Sequence, residues 1–170
     1  MKEFTSWHVG VAAEAYAAAL LARYGYNVSV QYGANQPEYD LIVVSGDKML
    51  KISVKGSKDK KWGLTQKYLK NSDYHKAADM WLAAHHKKTI FCLVQFSGTE
   101  PNEMPRIYLA TPKGIADRLK KSAGGRGETI LYENHTWGPC AAGSGTTDSI
   151  PKEWLISDER LNFLFKTYGQ

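Results

Sequence analysis

The sequence has few of the features that mark secreted, metal-cluster or membrane proteins. Its 170 residues include only two cysteines, Cys92 and Cys140, too few for a disulfide framework or a paired-cysteine metal site. The Ala-rich stretch near the N-terminus is too short, and too interrupted by Glu14 and Arg23, to cross a membrane. Internal repeats and low-complexity linkers are also missing from the sequence. These absences favour a globular protein with reduced thiols.

The opening sequence MKEFTSWHVG has no apolar core of the signal-peptide kind. The default expectation is therefore a cytoplasmic protein that does not bind a membrane. With 43% hydrophobic and 23% charged residues the composition is that of an ordinary globular chain, and this length predicts one domain over residues 1–170 with a real core. The formal net charge of +5 suits a polyanionic partner.

The stretch from Glu38 to Gly56, EYDLIVVSGDKMLKISVKG, predicts a β-hairpin. Its first half is a β-branched run, its second half alternates apolar and polar side chains, and a Ser-Gly-Asp-Lys turn lies between them. Ser53 and Lys55 share one face of the second strand, and simple register brings Asp40 near them. A carboxylate and an ammonium group would then lie on one face of an otherwise apolar hairpin.

This pair suits metal-dependent hydrolysis of a phosphodiester. Aspartate binds a hard divalent cation through oxygen, and a nearby lysine can orient or deprotonate the attacking water and neutralise phosphate charge. The structural alternative is ordinary, because alternate lysines are typical of a solvated edge strand and an Asp at a strand start is often a turn residue. Glu14, on a predicted helix upstream of the hairpin, favours the catalytic interpretation.

This order of elements resembles the PD-(D/E)XK nuclease superfamily, above all its Holliday-junction-resolvase-like and restriction-endonuclease-like members. The resemblance covers about residues 6–97 and lies in GVAAE, which ends at Glu14, in Tyr39-Asp40-Leu41 and in Ser53-Val54-Lys55. It implies an α/β fold with a mixed central sheet flanked by helices, built on a restriction-endonuclease-like core over about residues 6–97, with residues 98–170 as a C-terminal extension.

The resemblance also implies an activity, that of a Mg²⁺- or Mn²⁺-dependent DNA endonuclease. The catalytic residues it implies are Glu14, Asp40, Ser53 and Lys55. The ion would be held by Asp40, by Glu14 directly or through water, and by the main-chain carbonyl of Val54, while Lys55 serves the attacking water.

The sequence departs from the motif at two positions. Pro37 lies three residues before Asp40, and Tyr39 stands where the motif has proline. More important, Ser53 occupies the second acidic position, so a bound ion would lose one anionic ligand. Glu38 is a candidate substitute, because it lies two residues before Asp40 and on the same face. The alternative function is a catalytically weakened module of the same fold that binds nucleic acid or protein.

Lysines and aromatic residues alternate after the hairpin, in GSKDKKWGLTQKYLKNSDYHK. Lysines suit phosphates and aromatic rings suit exposed bases, although a charge run is also typical of a solvated face. The predicted nucleic-acid contacts are Lys58, Lys60, Lys61, Trp62 and Lys67. DNA is the expected partner, and a homodimer is left open.

The remaining pattern predicts four helices and further strands. The helices are expected over residues 6–24, 73–88, 112–121 and 158–168, and the other strands over 26–31, 89–96, 106–110 and 128–133. In the first helix we expect Ser6 as N-cap, Gly25 as the stop, and a buried stripe of Val11, Ala15, Ala18, Leu21 and Ala22. Residues 134–148 are expected to form a surface loop or a lid.

Overall fold

The computed structural model describes residues 2–32 and 38–170. It divides the chain into two compact units. Unit 1 comprises Met1–Asp59, Lys88–Ala110 and Glu153–Gln170, and unit 2 comprises Lys60–Lys87 and Thr111–Lys152. Each unit combines segments from before and after residue 97, and the organisation as a single domain stays a prediction.

Four α-helices and nine β-strands are assigned within the described residues. The helices are α1 (Ser6–Arg23), α2 (Tyr74–Ala83), α3 (Pro112–Lys121) and α4 (Asp158–Tyr168). The strands are β1 (Asn27–Val30), β2 (Leu41–Ser45), β3 (Lys48–Ser57), β4 (Lys61–Gly63), β5 (Thr89–Gln95), β6 (Arg106–Ala110), β7 (Ile130–Tyr132), β8 (Asn134–Thr136) and β9 (Thr147–Ser149).

Unit 1 is built on a five-stranded sheet with the order β1-β2-β3-β5-β6. The β3–β5 pair is parallel and the other three pairs are antiparallel. The predicted hairpin is β2–β3, with Leu41 opposite Ile52 and a turn at Gly46, whose φ of +61° suits glycine. The predicted fold class, an α/β protein with a mixed sheet flanked by helices, is confirmed.

The core of unit 1 lies between one face of this sheet and the helices α1 and α4. Alternate residues of β2, β3, β5 and β6 point into it and meet Ala13 and Ala17 of α1 and Leu161 and Leu164 of α4. Every residue of β5 is buried, as its apolar sequence predicts. Cys92 lies in this strand, and burial raises the pKa of its thiol to about 12, so it is a small core residue.

The prediction for the buried face of α1 was right at Leu21 and wrong at Val11, Ala15 and Ala22, which are exposed. Its buried residues are Val9, Ala13, Ala17 and Leu21, whereas Val11 is 51% exposed. The reason is that alanines of α1 lie on every side of the helix, so their spacing in the sequence does not distinguish one face from another. The N-cap is Thr5 rather than Ser6, since the Thr5 side chain accepts the His8 N–H. Gly25, with φ +88°, follows the helix end as expected.

Unit 2 contains α2 packed on α3 and two short antiparallel ladders, β4–β7 and β8–β9. Residues 134–148, expected as a surface loop or lid, include β8 and most of β9. The segment is fixed by Asp148, which is 5% exposed. The Asp148 carboxylate accepts the Ala123 N–H at 2.9 Å and the indole N–H of Trp137 at 2.6 Å, and it pairs with Arg118.

Two glycines near Asp148 provide a matched test of packing in unit 2. Gly143 and Gly145 both have φ +76°, so alanine at either should cost about 1–2 kcal/mol of unfolding free energy. A Cβ at 143 would also lie 2.7 Å from the Cα of Ala123, whereas a Cβ at 145 meets nothing within 4 Å. We expect Gly143→Ala to cost about 1–3 kcal/mol more than Gly145→Ala in urea unfolding, because overpacking adds to strain. Equal costs would contradict the close contact.

Candidate metal-dependent active site

The candidate site begins where α1 crosses the end of β3. A Cβ at Gly56 would lie 2.7 Å from Cγ1 of Val9 and 2.9 Å from Cβ of Ala13, so only glycine permits this approach. Glu14 is the next residue of α1 and is half-buried. The close approach therefore carries the Glu14 carboxylate toward the end of the hairpin.

Asp40 immediately precedes β2 and is fixed by its main chain and its side chain. Its N–H donates to the Ile52 carbonyl at 2.8 Å, and its own carbonyl accepts the Gln31 N–H at 2.8 Å. The carboxylate Oδ2 accepts the main-chain N–H of Val54 at 2.6 Å. Asp40 thus lies across the hairpin from Ser53 and Val54, as the register predicts, and it also stabilises the end of the β2–β3 ladder.

Val54 provides a second oxygen at the same place. Its N–H points toward Asp40, and the N–H and carbonyl of one strand residue point to the same edge of the strand. The Val54 carbonyl is therefore directed toward the edge where the Asp40 carboxylate lies. The Val54 side chain points into the core and is 7% exposed.

Both charged groups of the hairpin, Asp40 and Lys55, affect the pKa of Glu14. Burial raises the pKa of Glu14 above its ordinary 4.5, the negative charge of Asp40 raises it further, and Lys55 lowers it. The Asp40 carboxylate and the Lys55 ammonium group therefore both lie within electrostatic range of Glu14. A cation bound between the Glu14 and Asp40 carboxylates would relieve their mutual repulsion.

Ser53 and Lys55 share a strand face but differ in exposure. Ser53 is 2% exposed and lies opposite Phe91 of β5, whereas Lys55 is exposed. A hydroxyl costs far less to bury than an unpaired carboxylate, which suits serine at this buried position. The candidate substitute Glu38 is exposed. Pro37 lies outside the described residues.

The oxygen donors at this end of β3 fit a hard divalent cation. Within residues 2–32 and 38–170, no three His, Cys, Asp or Glu side chains cluster as a metal site. Magnesium does not require such a cluster, because it commonly keeps several waters and uses one or two carboxylates plus substrate phosphate. Asp40, Glu14 and the Val54 carbonyl have the chemistry that such an ion prefers.

The five predicted nucleic-acid contacts are divided between the units. In unit 1, Lys58 Nζ donates to the Phe4 carbonyl at 2.6 Å. In unit 2, Lys60, Lys61 and Lys67 are exposed. Trp62 is only 3% exposed, so its ring is a core residue and offers no face to a base.

Sequence reasoning missed a polar cluster at the end of β3. Gln95 is fully buried; its Nε2 donates to Ser57 Oγ at 3.0 Å and its Oε1 accepts the Ser97 N–H at 2.9 Å. Ser57 Oγ in turn donates to Asp59 at 3.0 Å. The only signal in the sequence is that the polar alternation of β3 continues to Ser57, two residues beyond Lys55.

No protein-family model, curated protein or solved structure matches this chain. What the fold itself establishes is an α/β protein with a mixed five-stranded sheet. Among the helices of the described residues, none has both the length and the apolar character needed to span a membrane.

The raised pKa of Glu14 predicts a pH-dependent effect on stability. A raised pKa in the folded state contributes stability that is fully present below pH 4.5 and is lost as pH rises through the folded value. Without divalent ions, Glu14→Gln should therefore melt above wild type at neutral pH and close to wild type below pH 4.5. Thermal melts across pH in EDTA check this, with the exposed Glu3→Gln as control. A Glu14→Gln protein less stable than wild type at neutral pH would contradict the electrostatic assignment.

Proposed function

We propose that this protein is a metal-dependent DNA endonuclease of the PD-(D/E)XK type. The observation that carries the proposal is that Glu14, Asp40 and Lys55 lie near one another at one end of β3. Asp40 and Lys55 both affect the pKa of Glu14, and a hydrogen bond from the Val54 N–H holds Asp40 across the hairpin. Helix, hairpin and side chains follow the order of the resembled motif.

In this proposal Asp40, Glu14 and the Val54 carbonyl would hold a Mg²⁺ or Mn²⁺ ion. When bound, such an ion neutralises charge on the phosphate and makes bound water more acidic. The hydrogen bond from Val54 N–H holds one oxygen of Asp40 in place before substrate arrives, so the carboxylate is preorganised.

Lys55 acts on the water and on the phosphate. Its ammonium group is exposed and lies within electrostatic range of Glu14. It orients the attacking water, and its positive charge offsets the negative charge that develops on the phosphate. The water oxygen attacks phosphorus in line with the leaving oxygen. One P–O bond forms and one breaks, the water gives up a proton to solvent and the leaving oxygen takes one up, and no covalent intermediate forms.

A second candidate is a binding module with the same fold and little or no catalysis. Two observations favour it. The second acidic position is a buried serine, and one Asp40 oxygen already accepts a main-chain N–H. Such a module would keep an affinity for nucleic acid that depends on salt.

The two candidates are separated by assaying the wild-type chain on supercoiled plasmid and on single-stranded, duplex and branched oligonucleotides. We expect nicking in Mg²⁺ or Mn²⁺ and none in EDTA, with binding retained in Ca²⁺. Salt-dependent binding without cleavage in Mn²⁺ would favour the binding module. A chain with no affinity for any of these substrates would refute both.

A further inference from the structure

A small pocket opens on unit 2 at the start of α2. Its volume is about 160 Å³, and it is lined by Tyr68, Lys70, Asn71, Asp73, Lys76 and Met80. Ordinary small-molecule sites begin at roughly 300 Å³. The pocket is thus too small for a whole cofactor and matches one building block of a longer ligand.

The charge around the pocket favours an anionic group. Lys70 and Lys76 line it, and Lys67 lies beside it, with Nζ 4.9 Å from the centre of the Tyr68 ring. The lining also includes one carboxylate, that of Asp73. Its Oδ1 accepts the Lys76 N–H at 2.9 Å as the N-cap of α2, so it already serves the helix end. Three ammonium groups against one engaged carboxylate leave an excess of positive charge.

The same pocket also offers apolar surface. Met80 is 41% exposed although it lies in the middle of a helix, and the Tyr68 ring is half-buried. A thioether and an aromatic ring suit a flat, polarizable group. A run of acidic residues would contact the lysines but not this apolar surface, whereas a nucleotide would contact both.

The wall of the pocket is held in an unusual conformation. Asn71 and Ser72 have φ of +52° and +56°, a region that residues other than glycine rarely adopt. Two consecutive residues of this kind persist only where the surrounding structure holds them. The surrounding structure therefore holds this part of the pocket wall in place.

We propose that this pocket binds one nucleotide of a nucleic acid strand. Lys70 and Lys76 contact its phosphate, and Tyr68 and Met80 contact its base. The inference rests on the proposed function in taking nucleic acid as the ligand and adds a strand-binding site on unit 2. Because Trp62 is buried, this proposal makes Tyr68 the aromatic contact within residues 56–76, where lysines and aromatic residues alternate.

The test measures binding of a short fluorescent thymidine oligonucleotide to the full chain by anisotropy, in EDTA, over a range of salt. Lys70→Ala and Lys76→Ala should each weaken binding, and the two changes together should reduce the slope of log affinity against log salt by about 0.7, because both lysines contact one phosphate. Tyr68→Ala should weaken binding roughly 5- to 150-fold with an unchanged slope, and Met80→Ala should act in the same direction. The matched controls, Lys121→Ala and Met104→Ala, remove the same groups at other exposed positions and should bind as wild type.

An abasic oligonucleotide of equal length separates base from backbone. The effects of Tyr68→Ala and Met80→Ala should disappear on it, while the lysine effects remain. Melting curves of every variant guard against loss of folding. The proposal is overturned if the pocket variants bind like their controls, or if polyglutamate competes as well as the oligonucleotide.

Cleavage distinguishes this failure from failure of the proposed function. If the wild type cleaves DNA but the pocket variants bind like their controls, the pocket proposal is refuted and the nuclease proposal stands. If the wild type shows the expected pocket effects on binding but never cleaves, the nuclease proposal is refuted and the pocket proposal stands.

Discussion

Asp40→Asn is expected to remove Mg²⁺-dependent cleavage while leaving the fold close to wild type. The amide keeps an oxygen that can accept the Val54 N–H, now 2.6 Å from Oδ2, but it loses the charge that attracts the cation. Removal of an outer-shell partner alone costs roughly 10- to 100-fold in metal affinity, and loss of a direct carboxylate ligand should cost more. Calorimetric titration with Mg²⁺ and a plasmid-nicking assay measure the two losses.

Asp40→Ala separates the structural role of this residue from its metal role. Alanine leaves the Val54 N–H without its acceptor at a part-buried position, which should lower the free energy of unfolding by about 1–3 kcal/mol. We therefore expect the asparagine variant to be more stable than the alanine variant, with both inactive. An asparagine variant that binds Mg²⁺ like wild type would show that the metal site lies elsewhere.

Lys55→Ala is expected to reduce cleavage by about 10²- to 10⁴-fold, the usual contribution of a group that moves or orients a proton. Metal affinity should change little, because an ammonium group does not bind a cation. Single-turnover cleavage and Mg²⁺ titration of the same preparation distinguish the two quantities.

Lys51→Ala is the matched control for the loss of positive charge. Lys51 occupies the same strand and, by alternation, the same face as Lys55, but its Nζ lies 5.2 Å from the ring centre of Tyr39. The control should cleave like wild type. If both variants lose activity equally, Lys55 contributes only through the overall charge of the strand.

The hairpin was predictable because three local signals agree in it. A β-branched run, a glycine turn and strict alternation fix β2, β3 and their register, and the pairing of Leu41 with Ile52 brings the preceding Asp40 next to Ser53. The helix α1 was predictable as a helix but not in its orientation. Its alanines lie on every side, and the choice of Ala13 and Ala17 as the buried face depends on the sheet that they meet.

Other features depend on partners that are distant in sequence. Trp62 follows three lysines within five residues, and local composition therefore predicts an exposed ring. Pairing of β4 with β7 sets Trp62 opposite Leu131, where it is buried. The hydrogen bond from Val54 to Asp40 was also missed, because a side chain that replaces a main-chain acceptor leaves no trace in the pattern of residue types.

Gly56 allows α1 to approach β3 closely at the candidate site, and no charged residue determines this approach. The helix that carries Glu14 lies against a bare main chain, and a single methyl group at this position would meet Val9 and Ala13 at less than 3 Å. The approach of α1, and with it the position of Glu14, therefore depends on the absent side chain next to Lys55. Discrimination between Mg²⁺ and larger ions depends on cavity size and rigidity. In the proposed site, position 56 is accordingly where the ion preference would be changed without altering any atom that would bind the ion.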